Sequence, residues 1–183
     1  MAKRKKKGGQ HTKKLKPVSP EVQYIFEEFG GESDRACVIL FAAVMDQYLT
    51  KMLKSKFVQI PGNNDPLFDG TNAPIETFGA KISIAYRLGL ISKKLHDSLN
   101  TVRKIRNEFA HNISHCNFKN QSIKDRLSSL RKVMGPSVDA LYKNLARMAG
   151  INKLFESVME GSIERQRFFA CAMMIILFIG NCH

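Results

Sequence analysis

The sequence predicts an all-α fold, a compact helical bundle that follows a short basic tail. Apolar residues recur at steps of three and four along several segments, which is the spacing of one buried face of a helix. No stretch alternates apolar and polar residues for long enough to form a convincing strand. At 183 residues the chain is long enough for one domain with a sizeable core. We therefore expect a disordered tail at residues 1–18 and a single domain over residues 19–183.

Capping residues as well as periodicity mark the predicted helices. Ser19-Pro20-Glu21 starts a helix through Phe29, which Gly30-Gly31 ends. A second helix opens at Ser33-Asp34 and reaches about Lys56. Five further helical patterns follow. They run from about Ile75 to Gly89, from Ser92 to His111, from Ile123 to Val133, from Ser137 to Met148 and from Ile163 to Ile179.

Turn-forming residues interrupt this pattern twice. Between Val58 and Pro74, prolines, glycines, asparagines and aspartates replace the helical periodicity, which predicts a long surface loop. Loops of this length are usually functional or mobile, so it is a candidate wall for a binding site. Gly89 is expected to adopt a left-handed conformation after the last turn of the helix that precedes it.

The positive charge of the chain is concentrated at its start. The formal net charge is +13, and residues 1–20 hold eight Lys and Arg with no Asp or Glu. These are Lys3, Arg4, Lys5, Lys6, Lys7, Lys13, Lys14 and Lys16. With few apolar residues, this tail is expected to remain solvated and to attract polyanions. A solubilising tail and a nucleic-acid-binding arm both fit its composition.

Other features indicate a cytoplasmic protein with reduced thiols and no membrane span. Gly8-Gly9 follows the basic start where a secretory signal would have an apolar stretch. The four cysteines include no C-x-x-C pair, so no disulfide is expected. Phe168 to Gly180 is thirteen residues without a charge, which is short for a membrane span of about 20 residues. We expect it to be a core or subunit-interface helix.

One constellation, Arg106, Asn107 and His111, suggests chemistry. A guanidinium group binds phosphate oxygens, and imidazole exchanges its proton near neutral pH. Asn107 and His111 are four residues apart and share a helix face, whereas Arg106 and His111 are about 140° apart around the axis. No P-loop, G-x-G-x-x-G or G-x-S-x-G motif accompanies them. A site built from both Arg106 and His111 of one helix is therefore awkward.

Two other interpretations of these residues stay open at this stage. In a structural one, Arg106 pairs with a carboxylate, Asn107 bonds a neighbouring helix and His111 stabilises the helix end. In a metal-binding one, His111 and His115 form an i,i+4 pair with Cys116 adjacent. A zinc site of the H-E-x-x-H kind needs glutamate where this chain has Asn112, so no metal is expected.

Three stretches of the sequence resemble the mannitol operon repressor family. The first stretch is Ser33 to Val38 with Ala42 to Asp46, the second is Pro66 to Gly70, and the third is Phe78 to His111. The most specific parts belong to the third stretch and are Phe78 to Ile82, Leu88 to Ile91 and Arg103 to His111. The resemblance spans roughly residues 33–115. It implies an all-α fold and a role in regulating gene expression. Because no helix-turn-helix pattern is present, repression is expected to work through a protein partner or other nucleic-acid contacts.

The segment from Arg106 to His111 is also similar to the R-N-x-x-x-H motif of the HEPN superfamily, whose active members are metal-independent ribonucleases. This similarity implies that Arg106 holds the scissile phosphate and Asn107 orients it. His111 would transfer a proton while the ribose 2′-hydroxyl attacks. Two copies of such a motif usually meet across a homodimer, which implies that this chain is a homodimer.

Three functions are therefore expected as alternatives, all of them without a cofactor. The first is a regulator of gene expression that binds a protein partner or nucleic acid. The second is a metal-independent endoribonuclease that uses Arg106, Asn107 and His111. The third is an RNA-binding or ribosome-binding accessory protein held by the basic tail, to which Arg103 adds a further candidate contact.

Overall fold

The computed structural model describes residues 28–29, 31–62, 64–112, 116–149, 156 and 159–180. Within this part of the chain the model contains helices and no strand, which confirms the predicted all-α bundle. The helices are α1 (Asp34–Lys54), α2 (Phe78–Arg87), α3 (Lys93–His111), α4 (Gln121–Met134), α5 (Pro136–Ala149) and α6 (Ile163–Gly180). The predicted basic tail and most of the helix predicted before Phe29 lie outside the described residues.

Side-chain caps set the starts of the first three helices. The hydroxyls of Ser33, Thr77 and Ser92 each accept a hydrogen bond from the backbone N–H three residues later, at 3.1 to 3.2 Å. Gly89 follows α2 with φ of +70°, as its position predicts. The expected start of α2 near Ile75 is wrong by about one turn, because Thr77 provides the cap.

The segment between α1 and α2 is irregular, as predicted, but it is not simply a surface loop. Phe68 and Ile75 are buried in the core. Phe68 packs edge-on against Phe57 with ring centroids 5.9 Å apart, and the Ile75 N–H donates to the Leu67 carbonyl at 2.8 Å. Two buried apolar side chains therefore anchor a segment for which the local sequence predicts only turns.

Helix α6 forms the centre of the bundle. It is apolar on all sides and packs against α1, α4 and α5, so the predicted core helix over Phe168 to Gly180 is confirmed. Four phenylalanine rings join it to other elements. The ring centroid of Phe168 in α6 lies 5.9 Å from that of Phe41 in α1 and 5.4 Å from that of Phe118. The ring centroid of Phe118 in turn lies 5.4 Å from that of Phe109 in α3. These contacts connect α1, α6 and α3 through one aromatic cluster.

Among the described residues, α1 is the one helix that is long and apolar enough to cross a membrane by length and composition. Eight of its residues are buried inside the bundle, from Cys37 to Leu53. Core helices of soluble proteins pass the same test of length and composition. The expected absence of a membrane span remains a prediction.

The bundle predicts a graded reactivity of its cysteines. Burial raises the pKa of the Cys171 thiol to about 12, and it also raises the pKa of the Cys37 thiol above its usual value. Cys116 is only half-buried, although burial raises the pKa of its thiol too. A raised pKa lowers the thiolate fraction and slows alkylation. We expect iodoacetamide near pH ~8 to modify Cys116 at least about tenfold faster than Cys37 or Cys171 in the folded protein.

Peptide mapping by mass spectrometry at timed intervals measures these rates, with the protein in urea as control. The three rates should converge in urea because burial is lost. Equal rates in the folded protein would contradict the packing of α1 and α6.

Candidate functional site at the end of α3

The candidate site lies on the C-terminal half of α3, whose opposite face holds the helix in the bundle. The buried residues of this helix are Leu95, Ser98, Leu99, Val102, Ile105 and Phe109. Because these positions point inward, the three motif residues lie on the remaining surface. Arg106 and Asn107 are half-buried, and His111, the final residue of the helix, is exposed.

The motif side chains have no partner in the described part of the chain. No hydrogen bond or ion pair joins the side chain of Arg106, Asn107 or His111 to any described residue. The structural interpretation required a carboxylate beside Arg106 and a neighbouring helix bonded to Asn107. Neither contact is found among the described residues, so the fold does not account for these side chains through polar contacts.

An open depression of about 680 Å³ lies between α3 and α4. Its lining consists of Lys104, Asn107, Glu108, His111, Ser122 and Arg126. The four α3 residues recur at steps of three, one and three, so they share one helix face. Two cations and one carboxylate line this depression. The resulting excess of positive charge favours an anionic ligand.

Glu108 is held in a fixed position within this depression. The Ser122 hydroxyl donates a short hydrogen bond to one of its carboxylate oxygens. The Arg126 Nε donates to the other at 3.1 Å. The Glu108 side chain is 17% exposed, so it remains accessible from the depression while α4 restrains it.

Arg106 lies outside this depression, toward α2. It shares that side of α3 with Arg103, which is three residues earlier. The guanidinium of Arg103 covers Gly79, where a Cβ atom would lie 3.4 Å from its Nη1. The Arg103 Nε is buried without a hydrogen-bond partner among the described residues. The structure thus brings Asn107 and His111 together and leaves Arg106 on the other edge of the same helix.

Arg35 at the start of α1 holds the end of α3 that carries the motif. Its guanidinium donates to the carbonyl of Phe109 and, at 2.6 Å, to the carbonyl of Asn112. The final carbonyl groups of a helix have no partner within the helix, so these bonds satisfy acceptors that would otherwise need water. The position of His111 therefore depends on a residue 77 positions before Asn112.

Other predicted site residues contribute less to this geometry. The basic residues from Lys3 to Lys16 lie outside the described residues, as does His115. Within the described residues no group of three or more His, Cys, Asp and Glu side chains is arranged to hold a metal ion. Burial raises the pKa of Cys116, as does the nearby charge of Glu108, so this thiol is a weak metal ligand at neutral pH.

Sequence reasoning missed the residues that complete the depression. Lys104 and Glu108 could have been found from their spacing to Asn107 and His111, because all four share a helix face. Ser122 and Arg126 belong to another helix, and no sequence signal links them to the motif. A second cavity of about 390 Å³, lined mainly by apolar residues, lies near the start of α3 and contains none of the predicted site residues.

Comparisons with known proteins found no matching family model, no matching curated protein and no matching solved structure.

The contact between Arg35 and α3 predicts a specific loss of stability. Substitution of Arg35 by methionine keeps an unbranched side chain but removes the donors for two carbonyl groups. Hydrogen bonds that involve charged groups contribute about 1.5 to 3 kcal/mol, so we expect the free energy of unfolding to fall by about 1 to 3 kcal/mol. Urea unfolding measures this change, and hydrogen exchange should show the largest loss of protection near residues 109–112.

Arg87→Met is the matched control, because Arg87 is exposed and makes no ion pair with the described residues. It should change the free energy of unfolding by less than about 0.5 kcal/mol. Equal effects of the two substitutions would show that Arg35 does not hold the end of α3.

Proposed function

We propose that this protein is a metal-independent endoribonuclease of the HEPN type, which acts as a cytoplasmic homodimer and regulates gene expression by cleaving RNA. The observation that carries the proposal is the exposure of the motif together with its lack of polar partners. Arg106, Asn107 and His111 reach the surface, and no described residue engages their side chains. Side chains of this kind are available to a ligand.

Several other polar residues that carry the sequence resemblance provide a contrast, because contacts within the fold explain them. Ser33 caps α1, and Arg35 binds the end of α3. Further contacts are Asp34 with Arg165 at 3.3 Å, Lys81 with Asp46 at 2.8 Å and Lys54 with Asp69 at 3.1 Å. Folding accounts for these residues through their partners, and it supplies no such account of the motif.

The chemistry of the motif suits cleavage of an RNA strand without a metal. The guanidinium of Arg106 offers donors in a fork that matches phosphate oxygens. The Asn107 amide adds a neutral donor and acceptor that orient the bound group. His111 transfers a proton while the 2′-hydroxyl attacks the adjacent phosphorus. The O2′–P bond forms as the P–O5′ bond breaks, which yields a 2′,3′-cyclic phosphate and a 5′-hydroxyl end.

A homodimer resolves the separation of Arg106 from His111. These residues lie at opposite edges of the outer surface of α3, about 140° apart around the helix axis. When the outer surfaces of two α3 helices face each other, Arg106 of one copy can approach His111 of the other. The two-fold symmetry of such a pair would produce two equivalent sites.

Substitution of the motif residues tests the enzymatic proposal. In EDTA, the protein should cleave a labelled single-stranded RNA and leave 2′,3′-cyclic phosphate ends. His111→Ala and Arg106→Ala should each lower the rate by about 100-fold or more, the usual contribution of a proton-transfer or phosphate-binding group. Arg87→Ala, which removes an exposed arginine outside the site, should retain the wild-type rate. A substrate with 2′-deoxyribose at the cleaved position should stay intact.

Mixing two inactive variants tests the dimeric arrangement. If Arg106 and His111 act across the interface, a mixed dimer of Arg106→Ala and His111→Ala contains one site with both residues intact. After unfolding and refolding of an equimolar mixture, about a quarter of the wild-type activity should return. Mass photometry measures the dimer fraction. Activity that stays at the level of the separate variants, in a sample that is dimeric, would contradict a shared site.

A second candidate function is gene regulation through nucleic-acid binding without cleavage, as the resemblance to the mannitol repressor family suggests. The favouring observation is that Lys104 and Arg106 reach the surface of α3 and form no ion pair with described residues, while Arg103 adds a third, partly buried cation to the same helix. Such a surface binds polyanions with a strong dependence on salt. Binding of RNA or duplex DNA that survives deletion of residues 1–18, in a protein that cleaves neither, would favour this function.

A further inference from the structure

Glu108 is the one carboxylate among the side chains that line the depression between α3 and α4. Ser122 and Arg126 each donate to one of its oxygens, which restrains the carboxylate without removing it from the surface. It follows Asn107 in sequence and lies three residues before His111. Residues at this spacing are neighbours on a helix, with Cβ atoms about 5 to 6 Å apart.

Cleavage of RNA by its own 2′-hydroxyl requires two proton transfers at opposite sides of the phosphorus. One group removes the proton from O2′, and another protonates O5′ as it leaves. His111 can perform only one of these transfers in a given step. The motif offers no second group for this role, since a guanidinium group has no acceptor atom and an amide exchanges no proton in such a step.

We propose that Glu108 is the second proton-transfer group of the site, an assignment that rests on the endoribonuclease function proposed above. Its carboxylate accepts the proton of the 2′-hydroxyl as O2′ forms a bond to phosphorus. His111 in its protonated form donates a proton to O5′ as the P–O5′ bond breaks. One proton is taken up and one is released, so the charge of the protein is conserved across the step.

The cations of the depression support this assignment. Lys104 is exposed and forms no ion pair with the described residues, so it is free to bind a non-bridging phosphate oxygen. Arg126 is 40% exposed and uses its Nε for Glu108, which leaves its outer nitrogens available. A phosphate bound between these cations would lie beside both Glu108 and His111. The lining residues thus supply an acid, a base and further phosphate-binding groups, which act together with Arg106 of the second copy.

A purely structural explanation is that Glu108 only joins α3 to α4 through its ion pair with Arg126. The two explanations differ in what substitution of the carboxylate does. An ion pair affects folding and leaves the pH dependence of the rate unchanged. A proton acceptor affects the rate and its pH dependence in protein that is fully folded.

The test compares single-turnover cleavage of a labelled RNA in EDTA by the wild type and by the variants Glu108→Gln, Glu108→Asp, Glu108→Ala and Ser122→Ala. Glu76→Gln is the matched control, because Glu76 is an exposed glutamate before α2. Glu108→Gln should lower the rate about 100-fold or more, the range expected for a proton-transfer group. RNA affinity should change by less than about threefold, since glutamine has the same size and its one amide oxygen can still accept from the Arg126 Nε.

Four further readouts separate a proton acceptor from a structural contact. The decline in rate on the acidic side, expected of a carboxylate base, should disappear in Glu108→Gln. Glu108→Asp should recover part of the rate, and added formate should raise the rate of Glu108→Ala. Ser122→Ala, which loosens the carboxylate without removing it, should lower the rate only severalfold. Thermal unfolding and circular dichroism establish that each variant is folded.

Each result decides between the proposals. If the wild type and Glu76→Gln do not cleave RNA, the endoribonuclease function fails and the role of Glu108 fails with it. If both cleave and folded Glu108→Gln cleaves within about threefold of them, only the role of Glu108 is overturned. A loss of rate that formate does not restore and that leaves the pH profile unchanged would also overturn it.

Discussion

The first turn of α1 is the constraint on which the rest of the bundle depends. Arg35 donates to two carbonyl groups at the end of α3, and Asp34 accepts from the backbone N–H of Phe118 at 3.2 Å. Asp34 also pairs with Arg165 at the start of α6, where the arginine binds the Glu32 carbonyl at 2.6 Å. Two adjacent residues thereby fix the end of one helix, the turn that follows it and the start of another. The junction therefore positions the end of α3 and the turn that precedes α4, and these two helices line the depression.

Much of the helical framework follows from local sequence, because the signals that begin and end helices are local. Ser33 and Ser92 cap the backbone N–H groups three residues after them. Gly89 adopts a left-handed backbone conformation that residues with a side chain disfavour. The segment from Val58 to Pro74 shows where local reasoning stops. Its turn-forming residues predict irregular backbone correctly, but the burial of Phe68 is decided by the space that the bundle leaves open.

The candidate site divides in the same way. Arg106, Asn107 and His111 can be identified from their spacing, and helix geometry alone shows that Arg106 points away from His111. Ser122, Arg126 and Arg35 join the site only through packing between helices, and Arg35 contacts a carbonyl 74 positions away. No pattern in one sequence encodes such a pairing. The motif residues could therefore be identified from the sequence, whereas the surface that surrounds them could not.

The position of α6 at the centre of the bundle has a consequence for synthesis of the chain. Its Arg165 binds Asp34, which lies 131 positions earlier in the chain, and its Phe168 packs on Phe41 of α1. At translation rates of about 5 to 20 residues per second, α6 is synthesised on the order of ten seconds after α1. A nascent chain would therefore display a long apolar helix at the ribosome until α6 emerges. Such a helix is a target for chaperones that bind exposed apolar segments, and it makes completion of the core a late event in folding.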